Sequence, residues 1–443
     1  MKLNTKRTVL VGFAFLSIAA FWQMYNNVIP LILTNTFHMD ETWSGVIMAA
    51  DNVLALFLLP FFGARSDRCK SKMGRRMPFI LFGTIGAVIL MMALPMIDNS
   101  YFAAASKSKE ILFVVVLLLL LVVMGTYRSP AVALMPDVTP KPLRSKANAI
   151  INLMGAIGGI TYLILASILY STKRTAGLAH INYFTLFAIV AGIMMVAAII
   201  VKLTIHERDI EKEMQSYETA HPEENLAEKD ETTGKEELPP EVKKSLKFLL
   251  LSISLWFIGY NAIETWFTTY ANHVWGMSLG SASVCLTIAT VGAIISYIPV
   301  GSIASKIGRK KTILIGVGLL TCSFAAAFVF TLASSTFSPF LYVLFVLVGV
   351  GWAFINVNSL PMVVEMCKDS DIGKFTGLYY TFSMAAQTIT PVVAGWLLHN
   401  VSYDSLFVYA GVFLALSFMT MQKVQHGDSR DITKKGLASF DTD

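Results

Sequence analysis

Hydrophobic residues occur in long runs that short polar segments interrupt along almost the whole chain. A bilayer core requires about 20 apolar residues per helix, and twelve runs approach or exceed that length. The predicted spans are 8–33, 43–62, 77–97, 111–135, 147–170, 183–203, 246–271, 281–303, 312–333, 338–364, 374–398 and 404–421. The pattern therefore predicts an all-α polytopic membrane protein with twelve transmembrane helices in two six-helix bundles.

One long polar interval separates the sixth run from the seventh and divides the chain into two halves. We predict an N-terminal six-helix bundle at 1–203, a cytoplasmic acidic linker at 204–245, a C-terminal six-helix bundle at 246–421 and a cytoplasmic tail at 422–443. Within the linker, 206–241 carries thirteen acidic residues against four Lys and Arg. We expect a solvated linker there, and a regulatory docking role is the alternative.

Composition excludes a soluble globular domain, since 55% of the residues are hydrophobic and only 14% are charged. The net charge of +6 predicts contact with anionic lipid headgroups rather than nucleic acid. Four cysteines lack the spacing of a metal site or a disulfide framework. Motifs of hydrolases, metalloproteases and nucleotide-binding enzymes are missing, so we predict no enzyme, no cofactor and no metal site.

The short loops carry an uneven distribution of positive charge. With the N-terminus inside, cytoplasmic segments hold thirty Lys and Arg, and the outer loops hold four. Basic loops stay on the cytoplasmic side, so we predict a multi-pass protein of the cell membrane with both termini in the cytoplasm.

The most charged short loop is Gly63–Arg76, in which six of fourteen residues are cationic. A weaker copy, which lacks the aspartate, begins at Gly301 and ends at Lys311. This repetition resembles the signature loop of the major facilitator superfamily, which recurs once in each half. The resemblance implies a duplicated secondary transporter, driven by an ion gradient rather than by ATP.

Three ionisable residues lie well inside predicted spans, namely Asp51, Arg128 and Glu264. Each costs about 2.5–3.5 kcal/mol at the centre of a membrane helix, so each requires a reason to be there. One interpretation is a structural ion pair, with Arg128 neutralising Asp51 or Glu264. The other is a proton relay combined with a group that binds substrate hydroxyls, and we treat all three as candidates for proton coupling.

Polar side chains interleaved with aromatic ones form a second pattern in several of the spans. The substrate-binding candidates are Gln23, Tyr25, Asn26 and Asn27 in the first span, Arg128 in the fourth, Tyr260, Asn261 and Glu264 in the seventh, Trp352, Asn356 and Asn358 in the tenth, and Tyr380 and Gln387 in the eleventh. Such groups satisfy sugar hydroxyls and cover apolar ring faces. Interhelical hydrogen bonds and interfacial aromatic belts are the alternative interpretation.

A third group of residues predicts a cytoplasmic gate. It comprises Gly63, Asp67, Arg68, Gly74, Arg75 and Arg76 in the basic loop, with Asp137 and Glu365 near the cytoplasmic ends of two other spans. Ion pairs that form in one facing state and break in the other would bias alternating access.

The segment Pro60–Ile80 resembles the equivalent loop of the sucrose–proton symporters of plants and their animal and bacterial relatives. Ser66–Cys69, Gly74–Arg76 and Pro78–Ile80 carry the likeness. Pro130–Asp137 is similar to the fourth-helix exit of that family. Asn356–Pro361 and Gly377–Tyr380 are similar to the broader glycoside–pentoside–hexuronide:cation symporters. The resemblance implies a central sugar site and cation-coupled uptake.

Two departures from those families bear on the coupling ion. Ala55 and Leu59 stand where melibiose-type carriers place a sodium-binding aspartate pair, so we expect protons rather than sodium. The fourth span has no acid within 114–123, where plant sucrose carriers have a protonatable aspartate. Proton coupling must then use another carboxylate, and Asp51 and Glu264 are the candidates.

These observations favour a proton-coupled importer of a disaccharide or related glycoside such as sucrose or maltose, acting as a monomer. An efflux antiporter for amphipathic compounds is an alternative, disfavoured because Gly155, Gly158 and Gly159 lack the proline of the usual fifth-helix export motif. A non-transporting sugar sensor is a second alternative, disfavoured by the short polar tail.

Overall fold

The computed structural model describes residues 4–139, 144–210, 212–213, 239–334, 336–366 and 372–428. Within those ranges the chain forms twelve long α-helices and no strand. We number them α1 to α12. Their bounds are α1 Thr5–Leu31, α2 Glu41–Asp67, α3 Met77–Ala103, α4 Lys107–Asp137, α5 Arg144–Leu169, α6 Phe184–Thr204, α7 Pro240–Trp275, α8 Leu279–Ile307, α9 Arg309–Ala333, α10 Phe340–Val364, α11 Ile372–Asn400 and α12 Ser405–Gln422. A π-helical turn, Ile32–Thr36, continues α1, and a short helix, Thr172–Thr175, follows α5.

The helices match the predicted spans in number and order but are mostly longer at their ends. Among the described residues, eleven helices contain a stretch apolar enough to cross a membrane, and α11 falls outside this group. A clear difference in bounds is at α7, which begins at Pro240 rather than at residue 246. Proline suits the first turn of a helix because its missing N–H would have no partner there. The first part of the predicted 246–271 span is therefore preceded by six further helical residues.

The chain divides into two compact units. Unit 1 comprises Met1–Asp40 and Ala50–Asn225. In it, α1 packs against α5 and α6, and α3 packs against α4 and α6. The contact between α1 and α5 is close at Gly158, where an added β-carbon would lie 2.0 Å from the Leu16 carbonyl oxygen. Small residues allow such backbone approach between membrane helices.

Unit 2 comprises Glu41–Ala49 and Leu226–Asp443, so the first turns of α2 group with it rather than with the predicted first bundle. Here α7 packs against α11 and α12, and α9 packs against α10 and α12. These are the counterparts of the pairings in unit 1, with each helix number raised by six. The sequence repeat of the basic loop thus has an equivalent in the internal packing of each unit. Trp256, Trp266 and Tyr270 are fully buried in the core of unit 2.

Candidate functional site

In unit 1, the intramembrane arginine lies against an aromatic ring of α1. The Arg128 guanidinium carbon is 5.3 Å from the centroid of the Trp22 ring. This cation–π geometry stabilises a guanidinium that has left bulk water. Trp22 also packs edge-on against Tyr25, with ring centroids 5.4 Å apart. One helix turn of α1 therefore places an aromatic surface beside the cation.

The carboxylate of Asp51 is the electrostatic partner of this arginine within unit 1. Arg128 and Asp51 attract one another across the interior of the unit. Asp51 also accepts a hydrogen bond from the Asn52 side chain at 3.0 Å, and it interacts with the buried hydroxyl of Tyr25. Trp22, Tyr25, Asp51 and Arg128 thus form one cluster, which joins α1, α2 and α4.

The other polar candidates of α1 differ in their contacts and in their burial. Asn27 is buried, and its amide donates to the Gln23 backbone oxygen at 2.7 Å and side-chain oxygen at 3.1 Å. These bonds lie within one helix, whereas the structural alternative expects hydrogen bonds between helices. The Gln23 side chain packs against Gly159 of α5. Asn26 is only half-buried.

In unit 2, the aromatic candidates of α7 and α10 stack directly on each other. The Tyr260 and Trp352 rings lie 3.8 Å apart with planes 9° from parallel. Phe257 meets Trp352 edge-on at 5.5 Å. Glu264 lies one turn beyond Tyr260 and interacts with its hydroxyl. Unit 2 therefore also combines a carboxylate with an aromatic surface.

Tyr297 of α8 extends this group, although the sequence patterns did not single it out. It interacts with Tyr260, and its hydroxyl bonds with the side chain of Asn356, an exposed residue of α10. Tyr297 stands two residues before Pro299. This position near a proline was the only sequence signal for it.

The remaining candidates of unit 2 bond mainly to backbone atoms. Asn261 of α7 donates to the Gln387 carbonyl oxygen of α11 at 3.4 Å, and Gln387 donates to the Ser383 carbonyl oxygen at 3.3 Å. Asn358 is buried and donates within its own helix to Phe354 at 2.9 Å. Tyr380 is 52% exposed. Asn261 and Gln387 join two helices, whereas Asn358 has a local structural contact.

The basic loop of unit 1 is held by ion pairs centred on Arg76. Its guanidinium is buried, bonds Asp137 of α4 at 2.7 Å and also pairs with Asp67 at the end of α2. Arg75 lies 3.8 Å from the same Asp137 carboxylate. A further contact runs from Arg76 to the Gly63 carbonyl oxygen at 3.4 Å. Arg76 thereby connects the ends of three helices. By contrast, Arg68 is exposed.

Glu207, just beyond α6, completes this loop and was missed by sequence analysis. One of its oxygens accepts the backbone N–H of Arg75 at 2.8 Å and of Arg76 at 3.0 Å. The carboxylate therefore caps the N-terminus of α3. Burial raises the pKa of Glu207, and the hydrogen bonds from the backbone oppose that rise. Its position after a span, in the acidic linker, gave no sign of this contact.

Unit 2 repeats the arrangement with different residues. Arg309, at the start of α9, pairs with Glu365 at the end of α10. Asp428, beyond α12, accepts the backbone N–H of Lys310 at 3.0 Å and so caps α9. Each unit thus uses an acid that follows its sixth helix to cap its third. The predicted gate residues Asp137 and Glu365 occupy equivalent places.

Membrane-spanning helices, the repeated six-helix packing and an intramembrane carboxylate beside aromatic rings in each unit define a polytopic membrane transporter. A model of the Major Facilitator Superfamily matches residues 11–284 and 271–436. The chain belongs to this superfamily, and it is therefore a transporter rather than an enzyme.

A plant protein illustrates what the chain resembles in sequence. The sucrose transport protein SUC3 of Arabidopsis thaliana is 31% identical over 137 residues, which cover 28% of this chain and 23% of that protein. The chain thus aligns with less than a quarter of that relative's length.

Solved structures share the fold at low sequence identity. A D-xylose–proton symporter superposes with a TM-score of 0.68 at 14% identity, covering 96% of this chain and 98% of its own. A mutant form of the nucleoside transporter NupG superposes with a TM-score of 0.66 at 14% identity, covering 95% and 100%. Similarity at this level establishes the fold and leaves the substrate open.

Proposed function

We propose that the protein is a proton-coupled symporter that imports a disaccharide or related glycoside, with sucrose and maltose as the first substrates to test. The observation that carries the proposal is the position of the Arg128 guanidinium over the ring of Trp22, in the same unit as the carboxylate of Asp51. The local similarity to a sucrose transport protein supports the choice of substrate class.

The chemistry of this cluster suits a substrate that carries many hydroxyl groups. A guanidinium has five N–H donors in a fixed plane, and these bind pairs of hydroxyl oxygens. An aromatic ring beside it covers the apolar C–H face of a sugar ring. Trp22 and Arg128 supply both elements within one unit, and Tyr260 and Trp352 supply a second aromatic surface in the other.

Coupling to protons follows from a competition for the arginine. While Asp51 is ionised, it holds Arg128 by electrostatic attraction. A proton on Asp51 removes that attraction and leaves the guanidinium to bind substrate hydroxyls, so proton and sugar bind together. Glu264, in unit 2, is the second candidate for the carboxylate that carries the proton. A ligand shifts the balance between facing states only by binding them unequally, and this competition supplies the inequality.

The proposal also includes the orientation in the membrane, the cytoplasmic gate, the oligomeric state and the coupling ion. Both termini and the Gly63–Arg76 loop lie on the cytoplasmic side of the cell membrane, where basic loops are retained. Arg76 and Arg309, with their carboxylate partners, form the cytoplasmic gate. The transporter acts as a monomer, and sodium is not the coupling ion.

The test is uptake of labelled sucrose and maltose into proteoliposomes under a pH gradient, under a sodium gradient and with neither. We expect accumulation only when the pH gradient is imposed, inward for protons. Sodium-driven accumulation would contradict protons as the coupling ion but would agree with the proposed sugar substrate. Absence of uptake under every gradient, with efflux or nucleoside transport detected instead, would contradict the substrate class.

A further inference from the structure

A buried carboxylate lies near the C-terminal end of α3, at the end of unit 1 opposite the Gly63–Arg76 loop. Asp98 has no solvent exposure. Neither of its oxygens accepts a hydrogen bond of normal geometry from the described residues, although the Thr36 hydroxyl faces it. An ionised carboxylate in this position has few of the donors that normally compensate for burial. Its environment therefore favours an added proton or a cationic partner.

The imidazole of the neighbouring His180 is positioned to supply either the proton or the cationic partner. His180, in the segment before α6, has its Nε2 atom 3.4 Å from an Asp98 oxygen and 2.9 Å from the Asn99 side-chain oxygen. A ring nitrogen that faces two oxygen acceptors carries a hydrogen. The His180 side chain is 12% exposed, and its ring stacks on Phe102 with centroids 4.5 Å apart. The pair is therefore held in one geometry and nearly closed to water.

The surrounding segments keep this geometry in place. Asn99 donates from its amide to Asn182 at 2.9 Å, and Asn182 in turn accepts the backbone N–H of Phe184 at the start of α6. Tyr170 donates to the Asn182 carbonyl oxygen at 2.9 Å. These contacts tie the end of α3 to the segment that carries His180.

The other titratable groups around the pair do not neutralise it. The buried Tyr183 interacts with Asp98, and a neutral phenol adds no charge. From α4, Lys109 directs its ammonium to the carbonyl oxygens of Ser100 and Ala104, at 2.8 and 2.9 Å. Among the described residues no group of three metal-ligating side chains occurs. A proton, rather than a metal ion, is the cation that this site suits.

We infer that Asp98 and His180 form a proton-binding site, which holds one proton between these two side chains. The site is separate from the helices that carry Asp51 and Arg128. Loss of the proton at high pH leaves an uncompensated charge in the interior of unit 1. In the predicted orientation this end faces the outside, so the site responds to external pH.

Thermal unfolding of the detergent-solubilised protein between pH 5.5 and 8.5 tests the site without any transport assay. The native state holds a proton that the unfolded chain releases from the same aspartate. The protein therefore loses stability as pH rises. We expect Asp98→Asn, which mimics the protonated acid, to raise the melting temperature at pH 8.5 by about 2–4 °C relative to wild type. At pH 5.5 this difference should be smaller, since it disappears only as pH falls below the ordinary aspartate pKa of about 3.9.

Glu110→Gln is the matched control, since it removes the same charge from the same end of unit 1. Glu110 pairs at 2.6 Å with Lys107, whose side chain is 75% exposed. This variant should keep the wild-type pH dependence. A melting difference between Asp98→Asn and wild type that does not change with pH would overturn the proposal.

A second measurement follows the imidazole directly and covers the case in which Asp98→Asn does not fold. With histidine-labelled protein, the His180 resonance is identified by its absence in His180→Gln. The pH at which it titrates in wild type should shift in Asp98→Asn. In His180→Gln, the pH dependence of melting should also change. A His180 resonance that titrates like a free imidazole in wild type would overturn the site.

A consequence for transport rests on the proposed function. If sugar and protons move together, counterflow of labelled sugar should fall as external pH rises, and Asp98→Asn should weaken this dependence on external pH. If the site titrates but no sugar is transported, the proposed substrate fails and the proton site stands. If transport is proton-coupled but Asp98 and His180 do not titrate together, the proton site is wrong and the proposed function is unaffected.

Discussion

Trp352 of α10 and Tyr260 of α7 lie face to face, with ring centroids 3.8 Å apart. Aromatic pairs of this kind contribute about 0.5–1.5 kcal/mol beyond their buried area. If the pair forms a wall of the sugar site, Trp352→Ala should raise the apparent KM for sucrose by roughly threefold to tenfold. Trp352→Phe should retain most of the affinity.

Trp396→Ala is the control for this prediction, because Trp396 of α11 is 50% exposed. Its uptake kinetics should stay close to wild type. Equal KM values for Trp352→Ala and wild type, measured as initial uptake rates, would remove the pair from the substrate site.

Gly74 has a backbone conformation that other residues adopt only with strain, since its φ is +105°. An added β-carbon there would also lie 2.2 Å from a carboxylate oxygen of Glu207. Gly74→Ala should lower the free energy of unfolding by more than the roughly 1–2 kcal/mol expected from backbone strain alone. Thermal unfolding measures the loss.

Gly177→Ala separates strain from crowding. Gly177 also has a positive φ, of +75°, and nothing lies within 4 Å of its added β-carbon. If the two variants lose the same stability, the contact between Gly74 and Glu207 has no energetic importance.

Glu207 should give the protein a pH-dependent stability with a defined sign. Because burial raises the pKa of Glu207, the native state binds a proton more tightly than the unfolded chain does. The corresponding stabilisation is present below about pH 4.3, the ordinary glutamate pKa, and is lost as pH rises through the raised value. Glu207→Gln lacks this dependence, so the melting temperature of wild type should fall relative to that of the variant as pH rises from about 4 to 7.

The matched control for that experiment is Glu213→Gln. Glu213 pairs with Arg7 at 2.8 Å, and its side chain is 45% exposed. This variant removes the same charge from a more exposed carboxylate, so it shows what the loss of a surface charge alone does to melting. A difference between Glu207→Gln and wild type that does not change with pH would mean that the capping carboxylate does not titrate there.

Gly158 should be intolerant of any side chain, because α1 and α5 approach each other at this position. Gly158→Ala places a methyl group 2.0 Å from the Leu16 carbonyl oxygen, and overpacking of this kind costs about 1–3 kcal/mol. Gly192→Ala in α6, where nothing lies within 4 Å, should unfold at the wild-type temperature or above it. Similar melting of both variants would contradict the close contact.

The spans and the duplication were predictable because hydrophobic runs and basic loops are local properties of the sequence. The attraction between Asp51 and Arg128 was one of two pairings left open, since sequence does not say which side chains share the interior of one unit. Arg128 has a charge interaction with Asp51, and the role of this pairing in coupling stays a prediction.

Capping by Glu207 and Asp428 was not predictable, because it depends on where the chain returns after the sixth helix of each unit. Both residues belong to polar segments in which acids are common. The stack of Tyr260 on Trp352 likewise depends on how α7 rotates against α10. By contrast, the pairing of Arg76 with Asp137 joins two segments that sequence had already assigned to the ends of spans.

The measurement that tests the central claim most directly is proton movement driven by sugar. Proteoliposomes that enclose a pH-sensitive dye receive sucrose or maltose on the outside, and the internal pH is followed. We predict acidification with the wild-type protein and its loss in Asp51→Asn or in Glu264→Gln. Asp404→Asn, a carboxylate outside the membrane helices, is the control and should acidify as wild type does. Acidification and full uphill accumulation in both Asp51→Asn and Glu264→Gln would contradict the account.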